Sequence, residues 1–276
     1  MIHQEKFLQS GQHKIYTQSW EIDKPKGFVG IIHGMGEHSG RYTHMATFLN
    51  EHGYSAFAMD HIGHGKSEGE RGHVKNYDLL LDSVQVFLDD INHRNLQKLP
   101  VFLFGHSMGG NVLTMFLIQR KPAIQGAILS APWYRLAFDP PALQLFLAKL
   151  MMNIYPAFSN ESKLDVTTIS KDPVEVQKYL DDPLISSSIT PAFFLPAFKN
   201  GLWAIEHAQE IKIPVLLYHG TADRLISPAG SQEFKKHGGD NIELKLWEGV
   251  YHEGHNDLEK LDIMGYMTNW LDHHLS

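Results

Sequence analysis

Hydrophobic residues along the chain fall into short apolar runs separated by longer amphipathic stretches. Nearly continuous apolar runs at 27–33, 54–59, 99–105 and 124–130 read as strands covered on both faces, with further strands at 214–219 and 242–247. Looser alternation over 13–20, paired with 4–9 across a Ser10–Gly11 turn, predicts an opening hairpin. Helices are predicted at 42–51, from Asn76 or Asp78 to about Arg94, beyond residue 107 to about Arg120, at 228–237, and from about Asp257 to His273. The second of these sets Leu79, Leu80, Val84, Phe87, Leu88 and Ile91 on one face. Strand alternating with helix argues for an α/β fold, a mainly parallel central sheet with helices on both faces.

Residues 132–211 break that rhythm. A helix is predicted over 139–155 (DPPALQLFLAKLMMNIY), beginning at its prolines, where a missing N–H does no harm. Leu143, Leu145, Phe146, Leu147, Leu150, Met151, Met152 and Ile154 cover more than one of its faces. Either they form a local core, or some of them line a ligand channel or face lipid. A loop over 156–170, a short helix over 173–181 and a helical stretch over 191–209 with Phe193, Phe194, Phe198, Leu202 and Trp203 complete the segment. The chain is therefore read as a core of 1–132 and 211–276 with a helical cap, 133–210, inserted into it.

Composition narrows the function. At 276 residues the chain can bury a large single core, and its net charge of −7 gives no support for nucleic-acid binding. There is no cysteine, so disulfide and thiol chemistry are excluded. The chain opens without a basic-then-apolar leader, and no apolar run approaches the roughly 20 residues that span a bilayer. The expectation is a soluble cytoplasmic protein, with room for a peripheral lipid contact through the cap.

The strongest chemical signal lies at 99–121, LPVFLFGHSMGGNVLTMFLIQRK. An apolar strand runs into Gly105-His106-Ser107-Met108-Gly109, a G-x-S-x-G pentapeptide, and a helical pattern follows. A serine on such a turn is raised above the sheet edge with helix N–H groups beneath it. Its hydroxyl needs a base to take the proton and an acid to orient that base. Asp223 in GTADRLISP follows strand 214–219, and His252 in YHEGHND follows strand 242–247, in the order Ser, Asp, His that this fold uses. His255 competes with His252, which is nearer the strand end. For the oxyanion, the Met108 N–H and the Met35 N–H in the His33-Gly34-Met35-Gly36 loop are the candidate donors. Among 18 histidines, His33, His61, His64 and His106 flank this region as candidates for loop hydrogen bonds, and no complete metal-ligand set is present.

With these motifs, HGMGEHSGRY at 33–42, HIGHGKSEGERG at 61–72, GHSMGG at 105–110 and SKDPVEVQKYLDDPLI at 170–185, the sequence resembles the monoacylglycerol lipases and the wider lysophospholipase-like α/β-hydrolases. The likeness runs over about residues 10–272. It implies an α/β-hydrolase fold and a cofactor-free, metal-free cleavage of monoacylglycerol to glycerol and fatty acid. It also implies a triad of Ser107, Asp223 and His252, settling the choice against His255, with oxyanion amides at Met35 and Met108. A mobile apolar cap would shape an acyl tunnel and could rest on a membrane. Glu37, Arg41 and Tyr179 fall at the positions of the family's polar glycerol end. A lysophospholipase or a broad carboxylesterase would use the same machinery. A peptidase would need an acidic pair placed for the amine, and the sequence places none clearly. A non-catalytic lipid-binding or scaffold protein would be expected to have lost a member of the triad, and none is lost.

Overall fold

Eight strands form one sheet in the computed structural model, which describes residues 1–161 and 165–275. In chain order the elements are β1 (Ile2–Ser10), β2 (His13–Glu21), β3 (Gly27–Ile32), α1 (Thr43–Glu51), β4 (Tyr54–Met59), α2 (Asp78–Arg94), β5 (Val101–His106), α3 (Met108–Arg120), β6 (Gly126–Ser130) and α4 (Ala142–Ile154). Then come β7 (Asn160–Glu161), α5 (Pro173–Asp181), β8 (Ser188–Ile189), α6 (Pro191–Glu206), β9 (Val215–Gly220), α7 (Pro228–His237), β10 (Ile242–Trp247) and α8 (Lys260–His273). The sheet order is β1-β2-β4-β3-β5-β6-β9-β10. β1 and β2 join antiparallel and every pair from β4 onward is parallel, so this is an α/β-hydrolase fold with an inserted helical subdomain.

Alternation within the central strands sends each residue to one of two cores. Phe28, Ile32, Val101, Leu103, Ala127, Leu129, Val215 and Leu217 meet α2, α3 and α7 on one face. Val29, Ile31, Phe102, Phe104, Ile128, Leu216 and Tyr218 meet α1 and α8 on the other. Both faces are dry, which is why these strands read as continuous apolar runs. The parallel register aligns Ile32 with Gly105 and His106 with Ser130, so the loops after β3, β5, β6, β9 and β10 leave from one edge. That edge is where an open α/β sheet holds its ligand.

Several expected boundaries move. Pro140 and Pro141 stand outside α4, and Pro141 adopts an extended ψ of 133° as the residue before the helix. The 191–209 stretch ends as a helix at Glu206 and continues as a separate 3₁₀ turn at Ala208–Glu210. The last helix starts at Lys260, because Asp257 is buried in a turn where its carboxylate accepts the Tyr251 and Lys171 N–H groups (2.8 and 2.9 Å). The first strand is longer than its pattern and β6 begins two residues later than 124. Asn76 caps from outside α2, its Oδ1 accepting the Asp78 N–H (3.1 Å). In the segment 156–170, residues 162–164 lie outside the described residues; Asn160–Glu161 pairs antiparallel with Ser188–Ile189, which local pattern does not reveal. Among the described residues no helix is long and apolar enough to cross a membrane.

Candidate active site

Ser107 sits between β5 and α3 with φ 51° and ψ −115°, a conformation that costs a non-glycine residue about 1–3 kcal/mol and persists only when its surroundings enforce it. Three bonds do so: its N–H donates to the Ser130 carbonyl (2.9 Å), and its carbonyl accepts the Asn111 and Trp133 N–H groups (3.0 and 2.9 Å). The flanking glycines are required by space. A Cβ on Gly105 would lie 2.6 Å from the Gly109 carbonyl oxygen, and one on Gly109 would lie 2.3 Å from the carbonyl oxygens of Ile32 and His33. The Ser107 side chain makes no capping bond to α3, so its hydroxyl is not committed to the helix.

Asp223 leaves the end of β9 and His252 the loop after β10. Asp223 Oδ2 accepts from His252 Nδ1 at 2.6 Å and from His219 Nε2 at 3.0 Å, while Oδ1 accepts the Leu225 and Ile226 N–H groups (2.8 and 3.0 Å). Burial favours the neutral acid, but the adjoining His252 charge and the bonds from His219 and His252 outweigh it and hold Asp223 well below the usual carboxylate range. For His252, burial opposes protonation, but Asp223 prevails and raises its pKa above 6.5. The Nδ1 proton faces Asp223, which leaves the Nε2 lone pair for other chemistry. Ser107 and His252 are not hydrogen-bonded to each other; His252 approaches the elbow through the ring of His106, 4.7 Å away between centroids. Such contacts are often long before substrate binds. His255 is fully buried, stacks on Tyr42 at 4.9 Å, and has neither ring nitrogen bonded among the described residues, so it stands apart from Asp223.

The amides of Met35 and Met108 follow Gly34 and Ser107. Met108 is the first residue of α3, where N–H groups have no helical partner. The two loops touch: a Cβ on Gly34 would lie 3.2 Å from that of Ser107. The Gly34 N–H donates to Glu37 Oε1 (2.6 Å), and His33 Nδ1 donates to the Gly34 carbonyl (2.7 Å) while its Nε2 accepts the His61 N–H (3.0 Å). His64 bonds the Ile62 carbonyl and His106 the Ser130 hydroxyl, so all four flanking histidines serve loop contacts. Burial, then the neighbouring His252, pushes His106 down to about 3.

Glu37, Arg41 and Tyr179 do come together. Arg41 reaches Glu37 Oε2 (2.8 Å), grips both oxygens of Glu253 (2.8 and 2.7 Å) and lies over the Tyr179 ring at 4.8 Å. Glu37 also accepts the Tyr42 hydroxyl (2.7 Å) and Glu253 the Asn256 amide (2.8 Å). Both carboxylates are buried. Burial opposes the charge on Glu253, but the two-pronged Arg41 contact overcomes it and holds that carboxyl at about 2. Glu37 makes a single Arg41 contact, and there burial wins and raises its pKa.

The chain matches the family model described as serine aminopeptidase, S33, over residues 23–259. It is 30% identical over 272 residues to the monoacylglycerol lipase of Mycolicibacterium smegmatis, covering 98% of this chain and 96% of that protein. A Paleococcus ferrophilus monoacylglycerol lipase structure superposes with a TM-score of 0.86 at 31% identity, covering 94% of this chain and 99% of the other. The chain belongs to the monoacylglycerol lipase-like family of α/β-hydrolases. It also matches an uncharacterized abhydrolase domain-containing protein of Dictyostelium discoideum at 31% identity over 270 residues, 96% of this chain but 28% of that longer protein. Membership makes it a hydrolase of the esterase and lipase type.

Glu253, His219 and Asn111 are the site's neighbours that sequence reasoning passes over. Glu253 adjoins His252 in YHEGHND and is an acidic partner for Glu37, but Arg41 already neutralises one charge of that pair. His219 was hidden at the end of a strand, where its Nδ1 meets the Ser231 hydroxyl (2.8 Å) and its Nε2 meets Asp223. Its only signal is a polar residue in an otherwise apolar run.

Proposed function

We propose that this esterase is a monoacylglycerol lipase working through Ser107, His252 and Asp223. The observation that carries the proposal is the 2.6 Å bond from His252 to a fully engaged Asp223 at the same sheet edge as the strained Ser107. The Ser107 oxygen attacks the acyl carbonyl and its proton passes to His252 Nε2. The tetrahedral oxyanion is met by the Met35 and Met108 N–H groups. His252 then gives its proton to the departing glycerol oxygen as the carbon–oxygen bond breaks. A water gives its proton to the same ring as its oxygen attacks the acyl carbon, the bond to the Ser107 oxygen breaks, and the proton passes from His252 to that oxygen, releasing fatty acid and free Ser107. Asp223 keeps the imidazole in one tautomer and compensates its charge throughout.

The reading assigns the acyl chain to the apolar cap segment, 133–210, and the glycerol to the polar end at Glu37, Arg41 and Tyr179. The relatives named monoacylglycerol lipase support the head group. The exposed stripe Leu143, Phe146, Leu147, Leu150 and Ile154 on α4 recurs at helical spacing, and we assign it to resting on a lipid surface from the cytoplasmic side. The test is hydrolysis by purified protein of a monoacylglycerol, the matching lysophosphatidylcholine and a short aryl ester. Preference for the monoacylglycerol is the expected result, and a higher kcat/KM on the lysophospholipid overturns the head-group assignment.

A further inference from the structure

A polar side chain stands in the most deeply buried helix among the described residues. Asn111, one turn beyond Ser107, is fully buried among the α3 residues that cover the sheet. A buried amide persists when its hydrogen-bonding groups are met, and here the partners come from different parts of the chain. Tyr77, just before α2, donates its hydroxyl to Oδ1 (2.5 Å). Nδ2 donates to the Trp133 carbonyl (2.6 Å) and to the Ala197 carbonyl within α6 (3.1 Å). The Asn111 N–H and the Trp133 N–H both donate to the Ser107 carbonyl (3.0 and 2.9 Å). One residue thereby joins the serine elbow, the loop after β6 and a helix of the inserted segment.

The inserted helix is shaped to meet it. Ala197, Gly201 and Ala204 are buried along one face of α6. At Gly201 a Cβ would lie 2.5 Å from the Trp133 carbonyl oxygen and 2.6 Å from that of Tyr134, so backbone packs on backbone. Elsewhere α6 presents the stacked, half-buried Phe194 and Phe198, 5.8 Å apart, with Trp133 beside Phe194 at 5.9 Å.

We infer that Asn111 is a positioning residue that ties α6 to the serine elbow, and that this tie sets how well long acyl chains are used. The inference rests on the reading of Ser107 as the attacking group. A short acyl group is placed by the elbow and its amides alone. A long chain continues along the aromatic residues of the inserted segment, so its productive alignment depends on where α6 stands relative to Ser107. An α6 freed from Asn111 therefore raises KM and lowers kcat for long esters selectively.

The test is the kcat/KM ratio for p-nitrophenyl laurate over p-nitrophenyl butyrate, with thermal unfolding of each variant. Asn111→Leu removes both carbonyl bonds at similar volume, and Gly201→Ala pushes α6 off the Trp133 and Tyr134 carbonyls while leaving the Asn111 side chain unaltered. Each is expected to lower the laurate value about tenfold and the butyrate value less than about threefold, since small misplacements matter only where the displaced wall aligns substrate. Tyr77→Phe removes a bond from the same amide but none to α6; it should lower the thermal midpoint by about 2–4 °C and leave the ratio within about twofold. Equal losses on both esters in the first two variants would make Asn111 a folding residue and overturn the inference, as would a ratio shift in Tyr77→Phe matching theirs. Should Asn111→Leu fail to fold, Gly201→Ala decides by the same ratio. Wild-type protein inactive on both esters would instead overturn the reading of Ser107, a result that no change of ratio imitates.

Discussion

Helices α3 and α4 each have 13 residues and both are strongly apolar, yet their surroundings are opposite. Every residue of α3 from Met108 to Ile118 is buried, whereas α4 has no buried residue at all. The sheet, α2 and α6 surround α3, and Gly109 lets its first turn close onto the ends of the β3 strand. Only the half-buried side of α4, with Leu145, Ala148, Met151 and Met152, has support, while Phe146 is 62% exposed and Ile154 is 68% exposed. Apolar composition therefore says that a helix avoids water and leaves open what it is to be covered by. For α3 the cover is protein. For α4 the cover is α6 on one side and, as proposed, lipid on the other.

The sharpest break of that contrast lies at the head of α3. Ser107→Ala should lower kcat by about 10⁶-fold while circular dichroism and the thermal midpoint stay near wild type; ester turnover within an order of magnitude of wild type would remove the serine from the chemistry. Asp223→Asn should cost about 10⁴-fold, because the imidazole loses its orienting acceptor. It should also move the pH profile in a defined direction. In the proposed mechanism attack requires neutral His252, whose pKa is raised above 6.5, so kcat/KM should climb as pH rises through that raised value. Without the Asp223 charge, burial dominates and the limb shifts to lower pH, measured as the midpoint of log kcat/KM against pH. Stability runs the other way for the two groups. His252 contributes stability below its unfolded value of 6.5 that is lost as pH rises through the folded one, and Asp223 contributes stability above 3.8 that is lost on acidification.

Packing gives the next effect. Phe116→Ala in α3 empties a fully enclosed site and should cost about 3–5 kcal/mol in urea unfolding. The same kind of deletion in α4 should barely register: Phe146→Ser is expected within about 0.5 kcal/mol of wild type. If α4 rests on lipid, that substitution instead weakens co-sedimentation with phosphatidylcholine vesicles. Unaltered vesicle binding would leave the α4 stripe without its assigned partner.

Legibility followed the range over which each feature is held together. β3, β4 and β5 could be read from a few residues each, because a strand dry on both faces announces itself locally. Ser107, Asp223 and His252 are legible as motifs at three strand ends, though the Asp223–His252 bond depends on the parallel register of β9 and β10. The Arg41–Glu253 pair joins residues 212 apart, and no local pattern points from one to the other. Asn111 carries no local signal of its role, because the carbonyls on its amide, those of Trp133 and Ala197, lie 22 and 86 positions away. The last helix starts later than its pattern because Asp257 is held by N–H groups from two other segments.

The amino-acid order by itself determined the alternation of strand and helix, the serine turn and the presence of an apolar insertion, since these follow from side-chain periodicity and from glycines at fixed spacing. Only the tertiary structure decided that Asp223 bonds His252 and leaves His255 stacked on Tyr42, that Arg41 is shared between two carboxylates, and that the apolar residues of α4 divide between α6 and solvent. The reason is the same in each case. Hydrogen bonds, charge pairs and apolar contacts act over a few ångströms, and only the folded chain brings residues from tens to two hundred positions apart within that reach.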